Sequence, residues 1–256
     1  GVLEPSSGEI LCNGVIPYKK RSENAQNIGV VFGQRSQLWW ALPVVESFKI
    51  LKDIYQVPDK DYNDMMELYS SIVDMENLLH KPVRQMSLGQ RTLCDILAAF
   101  IHNPAVVFLD EPTIGLDVAM KAKIRELVKI LNHEKNTTVI LTTHDMKDIE
   151  ELCNRIIIID KGKILYDGSL SNIKYRFGNT KTIYIPSNVA LDKKELTNRF
   201  SGVTLENHED RTAIKFSLND IDLDDMLLYL INTYHIKDFK IEDISIEDIT
   251  KKLYEK

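Results

Sequence analysis

The sequence predicts an α/β protein with a parallel sheet and a helical subdomain, followed by a smaller α+β domain. Three short β-branched runs, at 105–109, 138–142 and 155–159, alternate with helical stretches. This alternation is typical of a parallel sheet covered on both faces. The 256 residues, of which 44% are hydrophobic and 27% are charged, are enough to bury a core in each unit.

The first part of the chain is predicted to run from polar turns into a strand and then into helices. The strand is the apolar run Ile28–Phe32. Apolar residues then recur at helical spacing across 43–80. A further helix follows Gly89 and stops at Asn103-Pro104, because the residue before a proline is pushed out of the helical conformation. These observations predict a helical subdomain at about 43–103.

The C-terminal part reads strand, helix, strand, strand, helix, strand. Its predicted strands lie at 182–185, 203–206, 212–216 and 239–244, and its predicted helices at 191–200 and 223–234. This is the order of a split-βαβ, ferredoxin-like domain, closed here by a last helix from Ser245. A polar stretch near 175–179 sets the predicted boundary, with one domain at 1–174 and the second at 175–256.

Composition and charge limit the classes of function. The net charge of -6 gives no reason to expect nucleic acid as a partner, since such proteins usually carry a basic surplus. The longest apolar runs are far shorter than the roughly 20 residues of a membrane helix, and no secretory signal opens the sequence. Cys12, Cys94 and Cys153 are isolated and lack metal-ligand spacing, which favours free thiols in a reducing compartment. A cytoplasmic protein is therefore expected.

Titratable side chains follow two of the predicted strands. Asp110 and Glu111 come directly after an apolar run, and open α/β sheets bind ligands at the carboxyl ends of their strands. Asp110 could hold Mg²⁺ and Glu111 could polarise water; the alternative is a capped turn before Pro112. His144 follows the strand at 138–142, where its imidazole could reach a terminal phosphate, or serve as a helix cap or surface residue.

A short polar string precedes the helix that follows Gly89. Ser87-Leu-Gly-Gln-Arg91 would present free N–H groups and the helix dipole to an anion, or it would be an ordinary N-cap formed by Ser87. The candidate positions then occur in one order along the chain, each at a strand end or helix start: Gln34, Ser87 to Gln90, Asp110 to Pro112, Gly115 to Asp117, and His144. Chance agreement of five such positions is improbable.

With these motifs the sequence resembles the ATP-binding cassette (ABC) ATPases over about residues 1–168. The resemblance implies a P-loop NTPase-like sheet, ATP and Mg²⁺ as cofactors, and hydrolysis by in-line attack of water. It assigns roles residue by residue: Gln34 is the Q-loop glutamine near Mg²⁺, Asp110 the Walker B aspartate that holds the metal, Glu111 the catalytic glutamate, His144 the switch histidine and Asp117 the D-loop aspartate. Ser87, Leu88, Gly89 and Gln90 match the signature sequence that closes over the γ-phosphate of the opposite subunit, with Leu88 where glycine is commoner.

The resemblance also implies partners. Two cassettes, alike or different, would complete the reaction centre at a dimer interface, and a transmembrane permease would hold the chain at the inner face of the cell membrane. Residues 37–43 are similar to the Q-loop of ABC-2 type exporters, and Trp39 and Trp40 either dock a helix of the permease or pack as core aromatics. Two alternatives stay open: an ABC ATPase of translation or DNA repair, and a non-catalytic regulatory or adaptor protein.

One departure from the family pattern affects activity. Gly-x-x-x-x-Gly-Lys-[Ser/Thr], the loop that cradles phosphates, does not occur in the sequence, and Gly162-Lys163 is followed by Ile164. The expectation is a parent ATPase whose loop lies before Gly1, with the 256 residues inactive by themselves. Loss of the strand that leads into the loop should leave a gap in the sheet after the strand at 138–142.

Overall fold

The computed structural model describes residues 1–33, 35–177, 179–244 and 248–249. The chain divides into two compact units, Gly1–Leu152 and Cys153–Lys256. Across the described ranges, no helix combines the length and the apolar composition that crossing a membrane requires. Each unit has its own buried core.

The first unit combines helices with a three-stranded sheet. Its helices are α1 (Arg21–Gln26), α2 (Val44–Ile54), α3 (Asp59–Ile72), α4 (Glu76–Leu79), α5 (Leu88–Phe100), α6 (Val118–Lys135) and α7 (Met146–Leu152). Its strands are β1 (Ile28–Phe32), β2 (Val106–Asp110) and β3 (Thr138–Thr142). Helices α2 to α5 fall within the helical subdomain predicted at 43–103, whereas α1 lies in a segment that the sequence predicts as turns.

The sheet is parallel, in the order β1-β2-β3. Its register aligns Phe32, Asp110 and Thr142 at the carboxyl edge. Val31 and Leu109 point to the face that packs against α5 and α6, where they join the core with Phe48 and other buried apolar side chains. The α/β fold with a parallel sheet is confirmed, and the strand ends that carry the candidate residues share one edge.

Two expectations about this sheet are wrong. Its second face is only partly covered: Val30 and Phe108 are half-buried there, whereas Phe32 and Ile140 are 57% and 47% exposed. The run at 155–159 does not join the sheet; it forms β4 (Arg155–Asp160), which pairs antiparallel with β5 (Lys163–Ser169). The turn between them, Lys161-Gly162, has φ of 47° and 74°, and such left-handed pairs favour a two-residue hairpin. The gap predicted after the strand at 138–142 stays a prediction.

The second unit begins with this hairpin. It continues with α8 (Leu170–Phe177), β6 (Thr180–Pro186), α9 (Lys193–Arg199), β7 (Thr204–Asn207), β8 (Arg211–Ser217), α10 (Leu223–Tyr234) and β9 (Lys240–Asp243). The predicted boundary at 174/175 falls inside α8, where the sequence suggests a polar connection, while the compact units divide after Leu152. The boundary at 174/175 stays a prediction.

From β6 to β9 the elements follow the predicted strand, helix, strand, strand, helix, strand order. The four strands form one antiparallel sheet in the order β7-β8-β6-β9. Ile183, Ile214 and Phe216 on the sheet pack with Met226 and Leu230 of α10. The predicted closing helix begins at Ser245, which lies outside the described residues. Residues 248 and 249, which are described, are helical.

Candidate functional site

The carboxyl ends of β2 and β3 are joined by side-chain and backbone hydrogen bonds. Thr142 Oγ1 donates to Asp110 Oδ1 over 2.5 Å. The backbone N–H of Glu111 donates to the carbonyl oxygen of Thr142 over 3.0 Å. These contacts continue the strand pairing one residue beyond β2, so Asp110 and Glu111 are both fixed at the edge of the sheet.

Glu111 has an unusual backbone conformation. Its φ is 50°, in the left-handed region that residues other than glycine rarely adopt. The loop after β1 passes directly beneath: a Cβ on Gly33 would lie 2.6 Å from Glu111 O and 2.7 Å from Asp110 O. Only a glycine fits at position 33 without displacing this turn. The chain thus turns sharply at Glu111, at the end of β2.

Glu111 and His144 are in contact. Glu111 Oε2 lies 2.8 Å from His144 Nδ1, with side-chain exposures of 33% and 73%. The carboxylate and the imidazole are therefore paired with each other and still accessible to a ligand. Beside them is a crevice of about 390 Å³, lined by Phe32, Gly33, Arg35, Asp110, Glu111 and Ile114.

Behind this contact lies a buried polar network that the sequence does not predict. Asp148 of α7 accepts hydrogen bonds from the hydroxyls of Thr113 (2.5 Å) and Thr143 (3.0 Å) and from Arg125 Nη1 (3.0 Å). Asp148 is fully buried and the Arg125 side chain is 4% exposed. The network joins Asp148 to residues 5, 23 and 35 positions away in sequence, and spacing alone gives no signal for such partners.

The predicted signature segment forms the start of α5. Ser87 Oγ accepts from the N–H of Gln90, and Gln90 Oε1 accepts from the N–H of Ser87, both over 3.2 Å. This reciprocal pair is a capping box. Leu88 is exposed, and Gly89 faces Met120 so closely that a Cβ would lie 2.5 Å from Met120 Cγ. The N-cap interpretation is therefore observed, while the anion-binding role of these four residues stays a prediction.

Asp117 lies in the same neighbourhood as the signature segment. Its Oδ1 accepts from the N–H of Met120 over 2.9 Å, so Asp117 is the N-cap of α6. The starts of α5 and α6 therefore meet at Gly89 and Met120. Asp117 stays a predicted interface residue, and the predicted Gln34 lies outside the described residues.

The structure thus brings together part of the predicted set. Asp110, Glu111 and His144 share the edge of the sheet, while the Ser87–Gln90 segment and Asp117 form a second group at two helix starts. In the described part of the chain, no group of three or more His, Cys, Asp or Glu side chains is arranged to hold a metal ion. Asp110 still suits Mg²⁺, which proteins commonly bind through one or two carboxylates together with substrate phosphates and water.

The segment after Gln34 connects to α5 through a buried carboxylate. Asp95 Oδ1 accepts from Ser36 Oγ over 2.9 Å and from the N–H of Gln37 over 3.0 Å. Farther along, Trp39 and Trp40 are 38% and 55% exposed, which contradicts the core-aromatic alternative. The Arg91 guanidinium lies 4.5 Å from the centre of a Trp40 ring. A surface aromatic pair is therefore tied to the helix that carries the signature segment.

Asp95 is expected to make stability depend on pH. Burial raises the pKa of Asp95 to about 6 from its ordinary 3.8, although hydrogen bonds from Ser36 and Gln37 oppose the shift. Because the folded state holds this proton more tightly than the unfolded chain, the free energy of unfolding is expected to fall by about 3 kcal/mol as pH rises through the two values. Asp95→Asn should remove this decrease while keeping an acceptor for Ser36 and Gln37.

Urea unfolding of both proteins at several pH values between 4 and 7 tests this expectation. The stability of the Asp95→Asn variant relative to the unsubstituted protein should increase across this range and then level off. Asp64→Asn, at an exposed position of α3, is the matched control and should show no such trend. A difference between Asp95→Asn and the unsubstituted protein that is constant with pH would contradict the expectation.

Comparisons with known proteins agree with this fold. A family profile described as "AAA domain, putative AbiEii toxin, Type IV TA system" matches residues 44–147. The chain is 30% identical over 172 residues to the ABC transporter ATP-binding protein NatA of Bacillus subtilis, covering 67% of this chain and 70% of that protein. It is also 30% identical over 177 residues to the methionine import ATP-binding protein MetN 2 of Enterococcus faecalis, covering 68% of this chain and 51% of that protein.

A solved structure shows the same similarity. It is that of cbiO1 from Clostridium perfringens, described as part of the ABC transporter complex cbiONQ, with a TM-score of 0.60 and 25% identity over 68% of this chain and 71% of that one. The extent of the match to NatA, together with the shared fold, shows the family. This chain belongs to the ABC transporter ATP-binding proteins.

Proposed function

We propose that the chain is the nucleotide-binding part of an ABC exporter, in which ATP hydrolysis at a dimer interface drives transport through a separate permease. The contact of Glu111 with His144, beside Asp110, is the observation that carries this proposal. Asp110 and Glu111, a potential metal ligand and a base, line one crevice, and the His144 imidazole contacts Glu111. A phosphoryl transfer to water needs these groups and little covalent chemistry from the protein.

Each of the three side chains has a distinct role in this proposal. Asp110 would hold Mg²⁺, which neutralises charge on the phosphates when bound. Glu111 orients and polarises the attacking water, because its carboxylate can accept a hydrogen bond from it. His144 holds the Glu111 carboxylate through Nδ1 and leaves Nε2 directed to other partners, such as a terminal phosphate oxygen.

The second group of residues supports the dimer. At the start of α5, a helix of 13 residues, the first-turn N–H groups favour an anion. Leu88 and Val118 are exposed apolar residues next to it. We therefore assign Ser87, Leu88, Gly89, Gln90 and Asp117 to a surface that meets the nucleotide of a second ATPase subunit, identical or different.

The exposed Trp39 and Trp40 support a membrane partner. Their main chain is linked to α2 by a hydrogen bond from the Trp39 N–H to Ser47 Oγ over 3.2 Å, and Trp40 stacks with Arg91 of α5. A permease helix bound here would act directly on α5. This contact would place the chain on the cytoplasmic side of the cell membrane, and residues 37–43 favour export over the import named for the MetN 2 relative.

The two alternative classes are less well supported. A non-catalytic adaptor has no need of the Glu111 and His144 contact. An ABC ATPase acting on nucleic acid would be expected to carry a basic surplus, whereas the net charge is -6.

The 256-residue chain by itself is expected to hydrolyse no ATP. Its sequence contains no Gly-x-x-x-x-Gly-Lys-[Ser/Thr], so the β- and γ-phosphates lack contacts worth about 1.5–3 kcal/mol each. Phosphate release by the purified chain should equal that of its Glu111→Gln variant. Faster release by the unsubstituted chain would overturn the expected inactivity, and would at the same time support Glu111 as the catalytic carboxylate.

A further inference from the structure

We propose that Asp148 is a positioning residue that holds the turn after Glu111 and the turn before His144 together. This inference rests on the function proposed above, and it adds Asp148 to the residues of that site. Asp148 lies on α7 and does not line the crevice. Its effect on the site would therefore pass through the two turns.

The two turns meet on one oxygen atom. Asp148 Oδ2 accepts from Thr113 Oγ1 over 2.5 Å and from Thr143 Oγ1 over 3.0 Å. Thr113 is two residues after Glu111, and Thr143 directly precedes His144. A single carboxylate oxygen thus fixes the main-chain segments from which both functional side chains project.

The charge on Asp148 makes these bonds stronger than bonds between neutral groups. Hydrogen bonds to an ionised carboxylate are shorter and roughly twice as strong as neutral ones. Arg125 balances the buried charge, with Nη1 3.0 Å from Asp148 Oδ1. The Thr143 hydroxyl also accepts from the N–H of Asp145 over 3.0 Å, so the His144 turn is held on both sides.

Removing the two hydroxyls would release the turns, together with the bond from the Asp145 N–H to Thr143, and leave the Arg125–Asp148 pair in place. Thr113→Val and Thr143→Val change each side chain little in volume and delete its donor. The contact of Glu111 with His144 would then depend on exposed side chains alone, and exposed pairs of this kind contribute little to holding a geometry. We expect the two side chains to separate for much of the time.

The experiment measures the contact itself on the full chain, without ATP. Histidine labelled at the ring Cε1 carbon gives one NMR signal for each of the six histidines, and a His144→Gln variant assigns that of His144. Glu111→Gln should shift the His144 signal in the unsubstituted protein. In the Thr113→Val/Thr143→Val background, Glu111→Gln should shift the His144 signal by less than about half of the shift seen in the unsubstituted protein. The reason is that coupling between two positions is lost when their contact is lost.

Two controls separate positioning from stability. The Thr113→Ser/Thr143→Ser variant keeps both hydroxyls and should retain the shift. Thr137→Val removes another buried threonine hydroxyl, outside the site. This hydroxyl donates a hydrogen bond of 3.0 Å to Pro104 O. The substitution should lower the melting temperature and leave the His144 shift unchanged.

The outcomes are distinguishable. A full shift in the double valine variant would overturn the role of Asp148 and leave the proposed function standing. An absent shift in the unsubstituted protein would mean that Glu111 and His144 are not in contact, which would overturn both. Loss of the shift in the valine variant, with recovery in the serine variant, would support the inference.

Discussion

Replacing Glu111 by glutamine is expected to lower ATP turnover by roughly 100-fold or more, because general-base catalysis typically contributes that much. The expectation applies to a form of the protein that can bind the phosphates, such as a chimera in which a segment containing Gly-x-x-x-x-Gly-Lys-[Ser/Thr] is joined before residue 1. Glutamine has the size of glutamate but cannot accept a proton from water. Phosphate release under saturating ATP is the measurement, and ATP binding should be retained.

Glu126→Gln is the matched control for this prediction. Glu126 is an exposed carboxylate on α6, so the same chemical change there should leave turnover unaffected. A Glu111→Gln chimera that hydrolyses ATP within a few-fold of the unsubstituted chimera would contradict the role given to Glu111. Loss of ATP binding together with turnover would instead assign Glu111 to nucleotide binding.

Asp148→Ala is expected to lower the free energy of unfolding by about 3–5 kcal/mol, the usual cost of breaking a buried ion pair on one side. It leaves the Arg125 guanidinium, which is 4% exposed, with Glu151 at 3.2 Å as its remaining charged partner among the described residues. It also leaves the Thr113 hydroxyl without an acceptor in a buried position. Urea unfolding at constant pH measures the loss.

Two further variants test whether the loss of stability comes from leaving one charge of the Arg125–Asp148 pair without its partner. Arg125→Met/Asp148→Leu removes both charges at once and should be less destabilised than Asp148→Ala, because no buried charge is left alone. Lys49→Ala, which breaks the exposed Lys49–Glu46 pair of α2, should change stability little. An Asp148→Ala variant as stable as Lys49→Ala would mean that the network contributes nothing measurable.

Local patterns were sufficient to predict most elements of both units. Strand β3 and helix α10 have the predicted bounds, since β-branched runs and helical apolar spacing are properties of contiguous residues. The carboxyl-edge cluster followed from the same patterns, because parallel strands end at one edge of a sheet. Asp110, Glu111 and His144 lie there as predicted.

One error arises next to the strand concerned, and the others arise where a partner distant in sequence decides the structure. The apolar run of β4 is compatible with a parallel or an antiparallel neighbour, and the Lys161-Gly162 turn selects β5. How much of a sheet face stays exposed, as around Phe32, depends on where helices pack, which the alternation of strands and helices does not reveal. Thr142 and Asp148 were missed for the same reason: a threonine or an aspartate gains its importance here from hydrogen bonds across 5 to 35 residues of sequence.

The left-handed backbone of Glu111 has a consequence for how this position can vary. A glycine there would adopt the same φ without steric cost, whereas a side chain in this conformation costs of order 1 kcal/mol. Folding stability therefore favours glycine at position 111, whereas the proposed catalysis requires a carboxylate there. Optimising the sequence for stability alone would favour replacing this glutamate by glycine, which is the trade-off expected wherever a fold carries a reactive group on a disfavoured backbone.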